Sequence, residues 1–299
     1  MVTIICLCYN HEDYVQQSLD SAWNQSYDKI ELIIVNDLSK DHSLEKINDW
    51  LRDKNSDRIH FINNKTNLGH TKSFNKAYNI ANGEFIIDLA TDDLLIENAV
   101  AQHMENFKHN PKAGVSFSNI KNINASGTII NTFYKANENI PYFKDFIPKS
   151  GYLYNELLSA FYLNACGMCV KKEVYDYLGG YDETLDYEDF DFWVRSSFKY
   201  NYIYGDFISL KKRMLDTSHS VLAQTVRKNQ FKKDRSTYSV CQKAYLQNET
   251  RQNFEALIIR GIHEFKIMVK TKHTSMAIKY GILILKSYCK KVYLQFVKS

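Results

Sequence analysis

The chain has 299 residues, 44% of them hydrophobic, and a net charge of +4 from 38 Lys and Arg against 34 Asp and Glu. This composition is that of a globular protein and excludes a disordered, collagen-like or low-complexity chain. The 11 glycines begin only at Gly69, which excludes a GxGxxG or P-loop phosphate cradle after the first strand.

The first 120 residues alternate apolar runs with segments of helical periodicity. Buried parallel strands are predicted for residues 2–8, 30–35, 85–89 and 115–117, and one-sided helices for residues 15–23, 44–51 and 74–81. This alternation predicts an α/β fold with helices flanking a mainly parallel central sheet. In such folds the ligand site lies beyond the carboxyl ends of the strands.

The remainder of the chain gives weaker signals. Residues 119–150 contain Asn-rich turns and two of the three prolines, so this stretch is expected to be irregular. Residues 165–170 form another apolar run, followed by a short helix that ends at Gly179 and Gly180. From Thr225 onward only helical periodicity is visible, which predicts a C-terminal helical extension.

The sequence predicts neither a signal peptide nor a membrane-spanning helix. The first residues lack a basic segment, and the longest stretch without Asp, Glu, Lys or Arg is the fourteen residues 157–170. Cys6, Cys8, Cys166 and Cys169 lie in apolar runs, as expected of core residues in a reducing compartment. A metal or redox role for the CxxC pair Cys166 and Cys169 is the alternative. We therefore expect a cytoplasmic protein.

The charge is unevenly distributed. Residues 241–299 hold nine Lys and two Arg against three Glu, a balance of +8, which leaves −4 for residues 1–240. A mildly acidic body argues against nucleic acid as a partner. The basic tail mixes lysines with apolar residues, and this mixture suits either packing on the rest of the chain or contact with anionic lipid headgroups.

Three polar segments that bear carboxylates follow predicted strands, at residues 9–12, 36–41 and 91–93. The adjacent Asp92 and Asp93 suit Mg²⁺ or Mn²⁺, which take oxygen ligands, although either residue could instead cap the next helix. Asp37 could accept a hydrogen bond from a nucleobase N–H or a sugar hydroxyl, or could belong to an Asx-turn.

A further acidic cluster lies among aromatic residues near residue 190. Glu188, Asp189 and Asp191 alternate with Phe190, Phe192 and Trp193. Apolar surroundings raise the pKa of a carboxylate and suit it to proton abstraction near neutral pH. The alternative is a helix whose aromatic residues are core and whose first-turn acids offset the helix dipole.

Taken in order, these clusters resemble the family 2 glycosyltransferases, inverting enzymes of the GT-A fold. The resemblance covers roughly residues 2–220. Its motifs are Tyr9-Asn10, Tyr14, residues 21–27, residues 31–37 with Ser39 and Asp41, Asn67-Leu68-Gly69, Asn75, residues 81–85, residues 179–182 and Glu188-Asp189.

The resemblance implies a role for each matching position. Asp189 is implied as the catalytic base, with Glu188 beside it, and Asp92 as the metal ligand for Mn²⁺ or Mg²⁺, with Asp93 as the alternative. The acceptor is expected near Asp191 and Trp193. The residues implied in binding the nucleotide-sugar are Thr3, Tyr9, Asn10, Asp37, Asn67, Asn75 and Asp92.

Two positions depart from the family pattern. The first position of the family's DxD element is Ala90 here. Leu215 stands where many relatives have a C-terminal His after an Arg, which leaves Asp216 or His219 as substitutes. The metal shell is therefore the part of the site that the resemblance defines least.

The resemblance implies transfer of a sugar from a nucleotide-diphospho-sugar, with a UDP-sugar expected, by metal-assisted single displacement. A glycan or polyprenyl-linked acceptor is expected, in polysaccharide biosynthesis of the capsule or lipopolysaccharide type.

The expected catalytic domain spans residues 1–220, divided into a nucleotide-binding half (1–118) and an acceptor half (119–220), and a basic helical region spans 221–299. The basic tail would allow peripheral contact with the inner face of the cell membrane. A nucleotidyltransferase and a non-catalytic nucleotide-sugar-binding subunit are the alternatives.

Overall fold

A computed structural model describes residues 1–54, 56–134, 141–143, 146–160, 163–215 and 227–297. The chain forms two compact units. Unit 1 comprises Met1–Gly151, Asn164–Glu183 and Tyr200–Leu222, and unit 2 comprises Tyr152–Leu163, Thr184–Lys199 and Ala223–Ser299. The C-terminal part of unit 2 begins at Ala223, close to the residue 221 that we expected. Unit 2 also includes Tyr152–Leu163 and Thr184–Lys199, which we expected in the acceptor half.

Unit 1 contains a ten-stranded sheet in the order β3-β2-β1-β4-β9-β6-β10-β5, with β7 pairing with β6 and β8. The strands are β1 (Val2–Cys8), β2 (Ile30–Asn36), β3 (Ile59–Asn63), β4 (Phe85–Ala90), β5 (Leu94–Leu95), β6 (Ala113–Ile123), β7 (Ile129–Tyr134), β8 (Pro141–Phe143), β9 (Met168–Lys171) and β10 (Asn201–Arg213). The first four strands are mutually parallel, whereas β9 runs antiparallel to both β4 and β6.

The continuous apolar runs form the centre of this sheet. Every residue of β1 and of β2 is buried. Strands covered on both faces lose the alternation of apolar and polar residues, which is why these segments appear in the sequence as unbroken apolar runs. The neighbouring β3 is half-buried along its whole length. Its sequence, with His60 and Asn63, therefore lacked the signal that revealed β1 and β2.

Helices of unit 1 flank the sheet, and unit 2 is helical where it is described. Unit 1 has α1 (Val15–Trp23), α2 (Ser43–Arg52), α3 (His70–Tyr78), α4 (Ala99–His109) and α6 (Lys172–Leu178). Unit 2 has α5 (Tyr154–Ser159), α7 (Glu188–Ser197), α8 (Arg227–Gln247), α9 (Arg251–Lys270) and α10 (Thr274–Val297). No helix in the described part of the chain combines the length and the apolar character needed to cross a membrane.

The expectation of an irregular stretch after residue 119 is only partly met. β6 continues to Ile123, and a tight turn leads into β7, where Thr128 donates its backbone N–H to Oδ1 of Asn124 at 2.9 Å. Gly127 in this turn has φ of +88°, a conformation that glycine adopts without strain. Pairing with β6 makes β7 a strand, and the local sequence gave no sign of this long-range contact. The apolar run at 165–170 likewise divides into a 3₁₀ turn (Ala165–Gly167) and β9.

The burial of one histidine makes the stability of unit 1 depend on pH. His103 on α4 is buried, its Nδ1 lies 2.9 Å from the Ser116 hydroxyl, and burial lowers its pKa to about 3. The unfolded chain therefore binds a proton near pH 6.5 that the folded chain does not bind. Stability is lost as the pH falls through this range.

We predict that between pH 6.5 and 5 the wild-type protein loses on the order of 2 kcal/mol more unfolding free energy than the variant His103→Gln, because the variant has no titrating group there. Urea unfolding at the two pH values measures this difference. Parallel pH dependence of the two proteins would contradict the assignment.

Candidate active site

The polar segments predicted to form a site lie at one edge of unit 1. Because β1, β2, β3 and β4 are parallel and in register, their carboxyl ends meet at the same edge of the sheet. Residues 9–12, 36–41 and 91–93 follow β1, β2 and β4 there. Asn64 follows β3 at the same edge and was not among the predicted site residues.

Asp37 is the most firmly held carboxylate at this edge. Its Oδ1 accepts hydrogen bonds from the Asn64 amide at 2.9 Å and from the backbone N–H of Leu68 at 2.8 Å, and its Oδ2 accepts from Gly69 N–H at 2.8 Å. Asn67 donates its side-chain amide to the Asp37 carbonyl at 3.0 Å. An ionised carboxylate offers about four acceptor positions, so one remains on Oδ2 for a ligand donor.

The loops after β1 and β2 are joined by side-chain to backbone hydrogen bonds. Asn10 donates its N–H to the Ser39 hydroxyl at 3.1 Å and accepts from Lys40 N–H through Oδ1 at 2.7 Å. Glu12 donates its N–H to Asp41 Oδ2 at 3.0 Å. These contacts leave little freedom to either loop, and they use the side chain of Asn10 within the protein.

Two apolar side chains project from these loops. Tyr9 and Leu38 are 40% and 42% exposed, and Leu38 has φ of +58°, a conformation that is strained for a leucine. An exposed tyrosine ring is a surface on which a planar nucleobase can stack.

Asp92 and Asp93 form the turn after β4. Burial, together with the charge of Asp92, raises the pKa of Asp93 to about 7 against the opposing charges of Lys212 and Arg213. Arg213, at the end of β10, donates its N–H to Asp93 Oδ1 at 2.7 Å and its Nε–H to the Asp92 carbonyl at 2.9 Å. The guanidinium lies 4.3 Å from the centre of the Tyr14 ring.

This pair fits a divalent cation. Two adjacent buried carboxylates repel each other, and that repulsion contributes to the raised pKa of Asp93. A cation removes the repulsion. Within the described ranges no three His, Cys, Asp or Glu side chains surround one point as a complete metal shell. Mg²⁺ in phosphate sites commonly takes one or two protein carboxylates and completes its shell from the substrate and water.

His11 was not among the predicted site residues, yet it lies beside Asp92. Its Nδ1 is 2.9 Å from the Thr91 hydroxyl and its Nε2 is 3.9 Å from Asp92 Oδ2. Burial lowers the pKa of His11, and this effect exceeds the opposite influence of Asp92 and Asp41. The sequence signal was available, since His11 is in the polar segment after β1.

Two other predicted ligand residues have structural contacts instead. Thr3 is buried at the start of β1, away from the carboxyl edge, where it donates to Glu31 at 2.5 Å and accepts from Gly83 N–H at 2.9 Å. Asn75 on α3 bonds both the N–H and the carbonyl of Tyr181, at 3.0 and 2.9 Å. The structure thus does not bring the Thr3 hydroxyl to the site, and it uses Asn75 to hold the turn at Gly180.

Another residue that was not predicted to belong to the site, the carboxylate Asp88, lies on β4. Asp88 Oδ2 is 3.3 Å from His70 Nε2 and 3.5 Å from the Tyr181 hydroxyl. Its Oδ1 is buried, and among the described residues it has no hydrogen-bond partner. No sequence signal pointed to Asp88, because a single acid within an apolar strand is not a motif.

The predicted catalytic acids begin α7 in unit 2. Glu188 and Asp189 occupy its first turn, where the helix dipole stabilises negative charge, and both are partly buried. The charge of Asp189 acts on Lys233, whose pKa is lowered by burial. A cation therefore lies in the electrostatic environment of Asp189.

The two predicted acceptor residues are core residues of unit 2. Asp191 is fully buried and accepts from Arg195 at 2.6 Å and from Lys243 at 2.7 Å. Trp193 is buried as well. Their prediction as acceptor contacts is corrected accordingly, because neither side chain is open to a sugar. The alternative interpretation of this segment, a helix whose aromatic residues lie in the core, agrees with the burial of Phe190, Phe192 and Trp193.

Asp216 and His219, the possible substitutes in the metal shell, lie outside the described residues. Leu215 is described and is partly buried. Arg213 contacts the Asp92–Asp93 turn through its N–H, which donates to Asp93 Oδ1, and its Nε–H, which donates to the Asp92 carbonyl. Its Nη1 donates to the carbonyl of Ala125, in the turn between β6 and β7.

Comparison with solved structures identifies the GT-A fold. The chain superimposes on S. aureus TarS 1-349 in complex with UDP-GlcNAc with a TM-score of 0.68, at 17% identity over 96% of this chain and 81% of that one. It also matches the mannosyltransferase PcManGT from Pyrobaculum calidifontis in complex with GDP-Man and Mn²⁺, with a TM-score of 0.59 at 14% identity over 98% and 87% of the two chains.

The family follows from the sequence comparison. The model of Glycosyl transferase family 2 matches residues 3–168, and the chain belongs to this family.

Two relatives show the range of the family. An uncharacterized glycosyltransferase, MJ1057, from Methanocaldococcus jannaschii is 28% identical over 200 residues, 65% of this chain and 64% of that protein. Poly-beta-1,6-N-acetyl-D-glucosamine synthase from Staphylococcus aureus is 30% identical over 128 residues, 43% of this chain and 30% of that protein. The chain thus aligns with less than two thirds of the length of either relative.

Proposed function

We propose that this glycosyltransferase transfers a sugar from a nucleoside-diphosphate donor, a UDP-sugar, to the hydroxyl of a glycan or polyprenyl-linked acceptor with inversion of the anomeric carbon. The observation that carries the proposal is the placement of Asp37 and Asp92 at one carboxyl edge of the sheet, on loops held by their own hydrogen bonds. The similarity to a poly-beta-1,6-N-acetyl-D-glucosamine synthase supports polysaccharide synthesis as the setting, and we propose the capsule or lipopolysaccharide type.

The donor would occupy this edge in an extended manner. The remaining acceptor position of Asp37 Oδ2 suits the imino N–H of a uracil, and the exposed ring of Tyr9 suits stacking on that base. Asp92, with Asp93 behind it, would hold Mn²⁺ or Mg²⁺. A divalent cation there would stabilise the negative charge that develops on the leaving diphosphate.

Asp189 is proposed as the general base and Glu188 as its neighbour in the acceptor site. A carboxylate at a helix N-terminus is kept ionised by the dipole and can take the proton of the attacking hydroxyl. Displacement in one step from the opposite side of the sugar inverts the anomer. The partly buried position of both acids supports this role over a purely solvated cap.

We also infer that unit 2 contacts an anionic membrane surface through α10. One face of this helix carries an apolar stripe at helical spacing, in which the large residues are 49% to 73% exposed. The stripe comprises Ile278, Ile282, Leu285, Cys289, Tyr293 and Phe296. The opposite face, with Tyr280, Leu283 and Ser287, is buried.

The positive charge beside the apolar stripe favours an anionic lipid surface as the partner of this face. Lys279, Lys286 and Lys290 form an exposed row along one border of the stripe, and no Asp or Glu occurs between Thr274 and Ser299. Phe265 of α9 lies against Gly281 at the other border. An amphipathic helix with lysines beside apolar and aromatic residues suits the plane of an anionic interface. This would place a cytoplasmic enzyme at the inner face of the cell membrane, near a lipid-linked acceptor.

We predict that UDP raises the melting temperature of the protein and that Asp37→Asn weakens UDP binding at least tenfold, because the amide places an N–H donor against the backbone donors of Leu68 and Gly69. Thermal shift with UDP and GDP, followed by calorimetry, measures both effects. A response to GDP alone contradicts the UDP assignment, and no response to either nucleotide contradicts the donor site.

For the base, Asp189→Asn is expected to lower kcat by at least 100-fold while the dissociation constant for UDP changes less than threefold, since the amide cannot take a proton. Transfer or hydrolysis of labelled UDP-sugar measures kcat. Asp186→Asn, which replaces an exposed acid of unit 2, is the control. Normal turnover by Asp189→Asn refutes the assignment.

Membrane contact predicts sedimentation with vesicles that contain phosphatidylglycerol and little with phosphatidylcholine alone. Lys279→Gln, Lys286→Gln and Lys290→Gln together should reduce binding by roughly fivefold per lysine, since each contributes about 1 kcal/mol. Leu285→Asp with Phe296→Asp should abolish binding.

The matched control removes three exposed lysines of unit 1, Lys65, Lys108 and Lys112, and should bind as the wild type does. Equal loss in this control would show a net-charge effect without a defined surface. A change of oligomeric mass in Leu285→Asp with Phe296→Asp, without any vesicle binding by the wild type, would assign the stripe to a second copy of the chain instead.

A further inference from the structure

The metal position of the proposed reaction has few protein ligands at the carboxyl edge. The strand that leads to it ends at Ala90, which has no ligand atom in its side chain, and Asp93 Oδ1 already accepts the N–H of Arg213. Asp92 is therefore the one carboxylate of this turn whose side chain is not engaged by a backbone donor in the hydrogen bonds of the described chain. A second protein ligand would have to come from another loop.

His11 reaches this position from the loop after β1. Its backbone is fixed, because its N–H donates to the Ser43 hydroxyl at 2.8 Å and its carbonyl accepts the N–H groups of Tyr14 and Val15 at 2.9 Å. Its ring is fixed as well, by the 2.9 Å contact between Nδ1 and the Thr91 hydroxyl. The remaining ring nitrogen, Nε2, lies 3.9 Å from Asp92 Oδ2.

The distance between His11 Nε2 and Asp92 Oδ2 shows that the two side chains do not bond each other directly. A hydrogen bond from nitrogen to oxygen needs about 2.7–3.2 Å, so 3.9 Å is too long for one. The two side chains are nevertheless shielded, at 20% and 12% exposure, and point to a common place. Two groups that converge without bonding each other can share a third partner between them.

The Thr91 hydroxyl is compatible with the ring form of His11 that can act as a ligand. In the tautomer that is protonated on Nδ1, the Thr91 hydroxyl oxygen accepts the His11 N–H at 2.9 Å. This leaves the lone pair on Nε2. A histidine that binds a metal through one nitrogen commonly donates its other N–H to such a neighbour.

We propose that His11 Nε2 and Asp92 Oδ2 together bind the divalent cation, with the imidazole supplying the ligand that Ala90 cannot. The proposal rests on the metal-assisted transfer proposed above. A nitrogen ligand disfavours Mg²⁺, which prefers oxygen, relative to transition ions that accept imidazole. The site should therefore select Mn²⁺ over Mg²⁺, and His11 should be the origin of that preference.

Electron spin echo envelope modulation of Mn²⁺ bound to the full chain with UDP tests the ligand directly. We expect ¹⁴N modulation in the wild type, and its replacement by ¹⁵N modulation after ¹⁵N-histidine labelling. His11→Ala should lose the modulation and raise the Mn²⁺ dissociation constant at least tenfold, with less than a threefold change for Mg²⁺. Thr91→Val keeps the imidazole but removes its orienting contact, so it should weaken Mn²⁺ about tenfold.

The control variants separate His11 from other histidines. His109→Ala, an exposed change on α4, should bind Mn²⁺ as the wild type does. Modulation that persists in His11→Ala and disappears in His219→Ala overturns the proposal and assigns the nitrogen to residue 219. Bound Mn²⁺ without ¹⁴N modulation overturns the His11 ligand alone, whereas absence of Mn²⁺ binding with UDP present overturns the metal-assisted reaction as well.

Discussion

The parallel register of β1 between β2 and β4 is the constraint on which the rest of unit 1 depends. Because β1 is buried along its whole length and pairs with a parallel strand on each side, the polar residues that cannot enter the sheet appear together at its carboxyl edge. A shift of one residue in either pairing would turn the buried side chains to the other face. The position of Asp37 beside Tyr9, and of Asp92 beside His11, follows from this register.

The edge is rigid because its polar groups satisfy one another. Asp37 accepts three hydrogen bonds from the chain, and the loops after β1 and β2 exchange further bonds through Asn10 and Asp41. A site held in this way needs little ordering when a ligand binds, and the entropic cost of binding is correspondingly smaller. Polar residues at such an edge therefore have two roles. Some are available to contact a ligand, and others position these residues through hydrogen bonds.

The turn after β4 holds two adjacent carboxyl groups, Asp92 and Asp93, in a buried position, which is electrostatically unfavourable. Burial, and to a lesser extent the charge of the adjacent Asp92, raises the pKa of Asp93. Arg213 offsets part of this effect through its backbone N–H and its guanidinium, which binds carbonyl groups. In unit 2 the charge of the buried Asp191 is instead opposed by two cations, Arg195 and Lys243. The difference separates a turn suited to binding a cation from a structural ion pair.

Local sequence determined the elements whose signal is carried by neighbouring residues: the buried strands β1, β2 and β4, the one-sided helices between them, the helical C-terminal region, and the polar segments that follow the strands. The family resemblance added the roles proposed for Asp37, Asp92 and Asp189. Tertiary structure alone decided the pairing of β7 with β6, the burial of Asp191 and Trp193, the place of Thr3 away from the edge, and the approach of His11 to Asp92. Each of these depends on contacts between residues far apart in the chain, and periodicity, composition and spacing describe only what lies close along it.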